Sequence, residues 1–249
     1  MRPFDHAVAM ALGGAVLAYP DAGAGFSNEA VAGFAPRALV CASSALPYGQ
    51  TDWQSAHASG LFQINKNSGA GFELTHSGLE VYKEQRFRGV YGRKLAPNWS
   101  LGASLDVLHL AAPEYGSATG FTMGIGFLAK VLPTVWLASR IQNPFQQRLS
   151  SVAPLPTVFL LGGAWKPGGV FVLIAEVEKE LERQGQVKCG LEYRPTEKMV
   201  FRTGVRSSPA RVTFGAGLLL GNGISLDAAT EWHQILGLTP SLMVCWRKK

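Results

Sequence analysis

Charge is scarce in this chain. Asp, Glu, Lys and Arg make up 16% of its 249 residues, against roughly 25% in ordinary soluble domains, while 47% are hydrophobic. No uninterrupted apolar run of about 20 residues accompanies that deficit, which excludes a membrane-spanning helix and leaves strands or an interfacial segment for any membrane role. Cysteine is rare as well: Cys41, Cys189 and Cys245 are odd in number, far apart and without CxxC or Cys/His spacing. Neither a metal site nor a disulfide framework is implied, and three isolated thiols in strands are expected. No Pro/Ser-rich linker, low-complexity tract or charge block marks a boundary, so one domain is expected.

The catalytic and cofactor signatures are missing too. The histidines His6, His57, His76, His109 and His233 show no HExxH or His-x-His spacing. Gly13-Gly14 and Gly162-Gly163 belong to no GxGxxG or Walker motif, and no GxSxG or convincing Ser/His/Asp set occurs. His109 and His233 are assigned to the polar parity of their strands, away from the face where a lipase built into a membrane wall would need them. The expectation is therefore no enzyme and no cofactor. The net charge of +6 comes from Lys and Arg scattered along the chain, which argues against nucleic-acid binding.

What the sequence does have is alternation. In 98-NWSLGASLDVLHL-110, Trp99, Leu101, Ala103, Leu105 and Val107 share one parity and Ser100, Gly102, Ser104 and Asp106 the other, the period of a strand. Fourteen such segments follow residue 36: 37–46, 57–66, 70–77, 81–94, 98–111, 118–131, 134–142, 156–165, 169–181, 185–194, 198–207, 210–221, 223–233 and 237–247. Short turns at Ala96-Pro97, Arg194-Pro195-Thr196-Glu197 and Ser208-Pro209 suit hairpins between antiparallel neighbours. Five consecutive late segments agree in parity, with Phe171, Leu173, Val187, Leu191, Phe201, Val205, Phe214, Leu218, Leu226 and Trp232 on the apolar side.

A soluble sandwich would turn that face inward, whereas an outer-membrane barrel turns it to lipid and encloses the polar face. Three features favour the barrel. The segments have the roughly 9–11 residues that cross a bilayer at a tilt. Tyr91, Trp99, Tyr193, Trp232 and Trp246 stand near segment ends on the apolar parity, where interfacial girdles belong. The polar parity carries both signs on neighbouring strands: Asp106, Glu176, Glu178, Lys188, Glu192, Arg202, Arg206, Asp227 and Glu231 are expected to face a lumen and pair across the wall.

Residues 1–35 do not alternate. Arg2 and His6 precede an apolar stretch ending at Ala22-Gly23-Ala24, which fits a secretory signal peptide. The stretch 9-AMALGGAVLAYPDAGAGFSNEAVAGF-34 also resembles the N-terminal signature of the PorV/PorQ proteins of type IX secretion and of FadL-like outer-membrane barrels. Leu12-Gly13-Gly14-Ala15 and Asp21 match it, and Asn28-Glu29-Ala30 stands where that signature has Asn-Pro-Ala. The stretches 91-YGRKLAPNWSLGASLDVLHL-110, 140-RIQNPF-145, 190-GLEYRPTEKMVFRTGVRSS-208 and 212-VTFGAGLLLGN-222 are similar to further hairpins of that group.

The resemblance implies an all-β, antiparallel transmembrane barrel of about 14 strands over 36–249, with 1–35 as a plug-like segment, any export signal then lying upstream. It implies residence in the bacterial outer membrane, contact with its lipid, and a role handling secreted or surface proteins, with secretion-system components or cargo as partners. A FadL-like channel for small hydrophobic molecules and a non-transporting scaffold are the alternatives. Small residues such as Gly13-Gly14-Ala15 are what a segment threading a narrow lumen requires.

Overall fold

The computed structural model describes residues 6–19, 27–79, 81–114, 116–150 and 153–248. Alternation becomes strand wherever the sequence shows it. The strands are β1 (Ala38–Ala45), β2 (Gln54–Asn65), β3 (Ser68–Leu79), β4 (Tyr82–Ala96), β5 (Trp99–Ala112), β6 (Gly116–Leu132), β7 (Val135–Gln142), β8 (Arg148–Ser150), β9 (Ala153–Pro154), β10 (Val158–Trp165), β11 (Phe171–Glu180), β12 (Gln186–Tyr193), β13 (Met199–Ser207), β14 (Ala210–Leu219), β15 (Ile224–His233) and β16 (Gly237–Lys248). Fourteen of them form one closed antiparallel barrel in sequence order, and β1 pairs β16 from Ala38↔Lys248 to Ala45↔Ser241 to close the ring. The remaining two, β8 and β9, make a small ribbon inside the long β7–β10 connection, which the periodicity had not indicated.

The apolar parity faces outward. Leu105 is 54% and Phe214 56% exposed, and Leu101, Leu173, Val177, Phe201, Leu242 and Val244 are similarly open. On the opposite parity Asp106 and Glu192 are wholly enclosed. A large exposed apolar surface around an ionised interior inverts the soluble arrangement and suits a wall with lipid outside. Tyr91, Trp99, Trp165, Phe171, Tyr193 and Trp246 are exposed toward the barrel end that holds the β4–β5, β10–β11 and β12–β13 turns. There Phe171 stacks on Tyr193 and Trp99 meets Phe127 edge-on. Trp232 is exposed toward the opposite end.

Two sequence assignments change. Cys41 and Cys245 form a disulfide, leaving Cys189 free and exposed. The pair is 204 residues apart in sequence, so spacing gave no hint of it, but ring closure sets the two residues opposite one another in register. His109 shares the outward parity of Leu105 and Val107, with Nδ1 2.9 Å from the Thr119 hydroxyl, because it stands an even number of residues from both. His233 keeps the inward parity, near its strand end.

The interior is occupied by the chain's own N-terminal part. Residues 6–19 are all buried and include the short helix α1 (Ala7–Ala11). His6 caps that helix, its Nδ1 accepting from the Ala9 N–H at 3.3 Å. Gly13 and Gly14 take φ of +64° and +78°, values that carry little penalty for glycine, and turn the chain just after the helix. A second buried stretch, the 3-10 turn Glu29–Phe34, leads into β1.

Candidate functional site

Fourteen strands enclose more room than the eight whose side chains fill a barrel and less than the 16–18 of an open porin. The lumen is therefore wide enough to take an inserted segment and narrow enough to be filled by one. Backbone can approach the wall closely only where the wall has no side chains, and glycine supplies those places. Gly69, Gly92, Gly102 and Gly126 form one cross-strand row over β3 to β6. A Cβ on Gly102 would sit 2.3 Å from the Glu29 carbonyl carbon, and one on Gly92 2.6 Å from the Glu29 carbonyl oxygen. A second bare patch, Gly190, Gly204 and Gly215, receives Ala11, Leu12 and Gly13. Gly102 of SLGAS, Gly190 of GLEY, Gly204 of RTG and Gly215 of FGAG are thus docking positions for the N-terminal segment.

The luminal charges hold the same segment. Glu176 accepts hydrogen bonds from the Val16 and Leu17 N–H groups at 3.2 and 3.1 Å and pairs with the Lys188 ammonium at 2.8 Å. Lys188 also lies 2.7 Å from Glu178 and donates to the Gly14 carbonyl at 3.5 Å. Arg206 donates to the Gly13 carbonyl at 3.2 Å and pairs with Glu231 at 3.4 Å, which also binds Arg211. Glu192 receives Arg202 and Arg194, each at 2.7 Å, and the Tyr19 hydroxyl at 2.5 Å. Arg202 reaches on to Asp227 at 2.6 Å. Leu12 and Ala15 are fully enclosed.

Near the other bare row the motif's odd residue becomes its anchor. Glu29, which interrupts the expected Asn-Pro-Ala, is 1% exposed and lies 2.7 Å from the Arg140 guanidinium and 2.9 Å from the donating Ser104 hydroxyl. Asn28 donates to the Phe127 carbonyl at 3.0 Å and accepts from the Ala30 N–H at 3.0 Å; Ala30 itself is fully buried. Asp21 lies outside the described residues. Asp106 binds Arg86 at 2.8 Å and Arg88 at 2.5 Å, and Arg88 continues to Glu73 at 3.4 Å. Glu29, Arg140, Glu73, Arg86 and Arg88 were not singled out from the sequence, although all but Glu29 stand on the polar parity of their strands.

Beside the N-terminal segment a cavity of about 350 Å3 remains. One side is ionic, with His57, Glu73, Arg86, Arg88 and Arg140; the other is apolar, with Leu108, Leu110, Leu149, Leu155, Val158 and Leu160. Leu108 and Leu110 lie on the inward parity of β5, where Ser104 and Asp106 precede them. That break in alternation is visible in 98-NWSLGASLDVLHL-110 as a change from polar to apolar along one face. Leu149 and Leu155 come from the β7–β10 connection, which folds over Gly120. Asn143 fixes its path: the side chain donates to the carbonyls of Leu155 at 2.8 Å and Gln147 at 3.2 Å and accepts from the Gln147 N–H at 2.8 Å.

No protein-family model and no curated protein matches this sequence. Solved structures do match its fold. The Ralstonia pickettii toluene transporter TbuX superposes with a TM-score of 0.77 over 99% of each chain at 12% identity. The monoaromatic hydrocarbon channel CymD gives 0.78 over 98% of this chain and 97% of the other at 12% identity. A Pseudomonas aeruginosa FadL homologue gives 0.72 over 99% of both at 13% identity. With a closed wall, an apolar exterior and the fold of these FadL-like proteins, the chain is a 14-stranded antiparallel β-barrel of the bacterial outer membrane.

Proposed function

We propose that this barrel passes small, largely apolar molecules across the outer membrane, with residues 1–35 as the gate in its lumen. The observation that carries this is the inward-facing cluster Leu108, Leu110, Leu149, Leu155, Val158 and Leu160 beside a cavity of about 350 Å3. Apolar side chains turned toward a cavity whose other side is ionic offer an apolar solute somewhere to leave water. A cavity of about 150 Å3 lined by such residues already takes up benzene. TbuX is a toluene transporter and CymD a monoaromatic hydrocarbon channel, which supports the same solute class here.

A type IX secretion accessory ranks lower. The connections between β3 and β4, β5 and β6, β13 and β14, and β15 and β16 are only two or three residues long and leave little surface to hold a folded cargo. The channel is tested by toluene uptake into vesicles carrying the purified barrel, against empty vesicles. Uptake several-fold above background is expected, falling at least threefold in Leu108→Asn/Leu110→Asn while heat-modified gel mobility still reports a folded barrel. Uptake no faster than in empty vesicles would refute the proposal.

A further inference from the structure

Lysine and arginine are scattered along the sequence but gathered in the fold. Arg37, Lys66, Arg93, Lys166, Lys198 and Lys248 all stand at the barrel end that holds the β2–β3, β4–β5, β10–β11 and β12–β13 turns, the start of β1 and the finish of β16. Lys166 is half-buried and the other five are exposed. None of the six shares an ion pair with another described residue. Lys94 and Lys130, at the same end, lie over the rings of Phe34 and Trp136. Among the described residues the one exposed acid there is Glu197. The connections of the opposite end mix signs, with Asp52, Glu114, Arg148, Glu182 and Arg183, and there Arg183 pairs with Glu180 at 3.1 Å.

What lies beside this collar of cations identifies what it faces. Arg93 follows Tyr91 on the outward parity of β4, Lys248 follows Trp246 on that of β16, and Lys166 comes directly after Trp165. Tyr91, Trp165 and Trp246 are exposed on the wall that meets lipid. A cation one step beyond an interfacial aromatic stands at head-group depth, its stem along the apolar wall and its charge among the phosphates. Like charges gathered without counter-charges repel one another, and neighbouring anions relieve that repulsion. The longest connections, 46–53 and 143–157, belong to the opposite end; short turns are periplasmic in outer-membrane barrels and long loops external, so the collar lies in the periplasmic leaflet. We propose that the collar binds the head groups of anionic phospholipids there, the cations taking the phosphodiester and the aromatics the glycerol and upper acyl chain. A zwitterionic head group brings its own ammonium, which the collar repels. A soluble acidic protein would use the cations and leave the aromatics beneath them unused.

The test uses the full-length barrel in bilayers, in one form retaining only Trp165 and in another only Trp232, which lies toward the opposite end, the other tryptophans being replaced by phenylalanine. Fluorescence quenching by phosphatidylglycerol and by phosphatidylcholine, each spin-labelled near the acyl carbonyl, reports which lipid sits against each end. Trp165 should show at least a threefold preference for phosphatidylglycerol at low salt, lost at high salt, and Trp232 a preference below twofold. Changing Arg37, Lys66, Arg93, Lys166, Lys198 and Lys248 together to glutamine should bring Trp165 below twofold as well, and Lys166→Glu alone should at least halve its preference. Arg148→Gln/Arg183→Gln should leave it intact, with heat-modified gel mobility reporting a folded barrel throughout. Inorganic phosphate and chloride at equal ionic strength should weaken the preference alike; a far stronger effect of phosphate would make the collar a small-anion site and overturn the proposal. Equal quenching of Trp165 by the two lipids, an equal preference at Trp232, or a preference that survives the neutralised collar would overturn it too.

Discussion

Glu192 is fully enclosed and meets Arg194, Arg202 and Tyr19, so removing one partner leaves charge with little water to screen it. Such losses run to about 3–5 kcal/mol for buried pairs. Arg202→Ala and Glu192→Ala should each destabilise the barrel, while the double variant should cost less than their sum by on the order of 0.5–3 kcal/mol. Urea unfolding in detergent at low and high salt measures that difference, and additive effects at both would remove the internal network. The parity of Glu192 and Arg202 was legible in the sequence, since adjacent strands put them on the same face. Their contact with Tyr19 was not, because 1–35 has no period and nothing local says which wall residues it will meet. The same blindness hid Glu29: in sequence it interrupts a motif, and in space it finds Arg140 from more than a hundred residues away.

Among the elements, the strands were almost completely readable and the inserted segment's seat was not. Each barrel strand overlaps one alternating stretch, whereas β8 and β9 are too short to show a period. Glycine on the inward parity was the unread signal: it marks where something must come near the wall. Gly204→Val tests this, because valine suits a strand while its Cβ would fall 2.3 Å from Gly13 N and Leu12 C. The wall should form normally and the N-terminal segment should be displaced, seen as raised single-channel conductance in planar bilayers. Wild-type conductance would mean the segment does not block the lumen. The two faces should also differ. Leu105→Arg places a cation in hydrocarbon at about 2–4 kcal/mol near the midplane, while Gln142→Arg, lining the cavity, should be milder. Folded fractions by heat-modified gel mobility compare them. Ser104 and Thr213, though polar and inward, would tolerate no such change, since they hold Glu29 and the Ala11 carbonyl.

For the whole molecule, deleting residues 1–30 behind a heterologous signal peptide should leave a folded barrel that conducts, because every barrel strand begins after residue 37 and the inter-strand bonds stay intact. Loss of folding would make the segment a structural core and remove the gate. Replacing Cys41 and Cys245 by serine should lower stability by about 2–5 kcal/mol, as for a bond closing a very long loop, read as a lower urea midpoint against the oxidised protein.

That bond also sets a topology. Thirteen of the fourteen strand-to-strand seams are bridged by continuous chain; the one between β1 and β16 is bridged by the disulfide. Residues 41–245 therefore form a covalent hoop, and the described segments 6–19 and 28–33 lie enclosed within it, as the tail of a lasso lies in its loop. A hoop cannot splay at its join. Whatever solute leaves sideways must slip between strands that share a turn, and a folded protein cannot pass through the wall at this seam until a reductant cuts the ring.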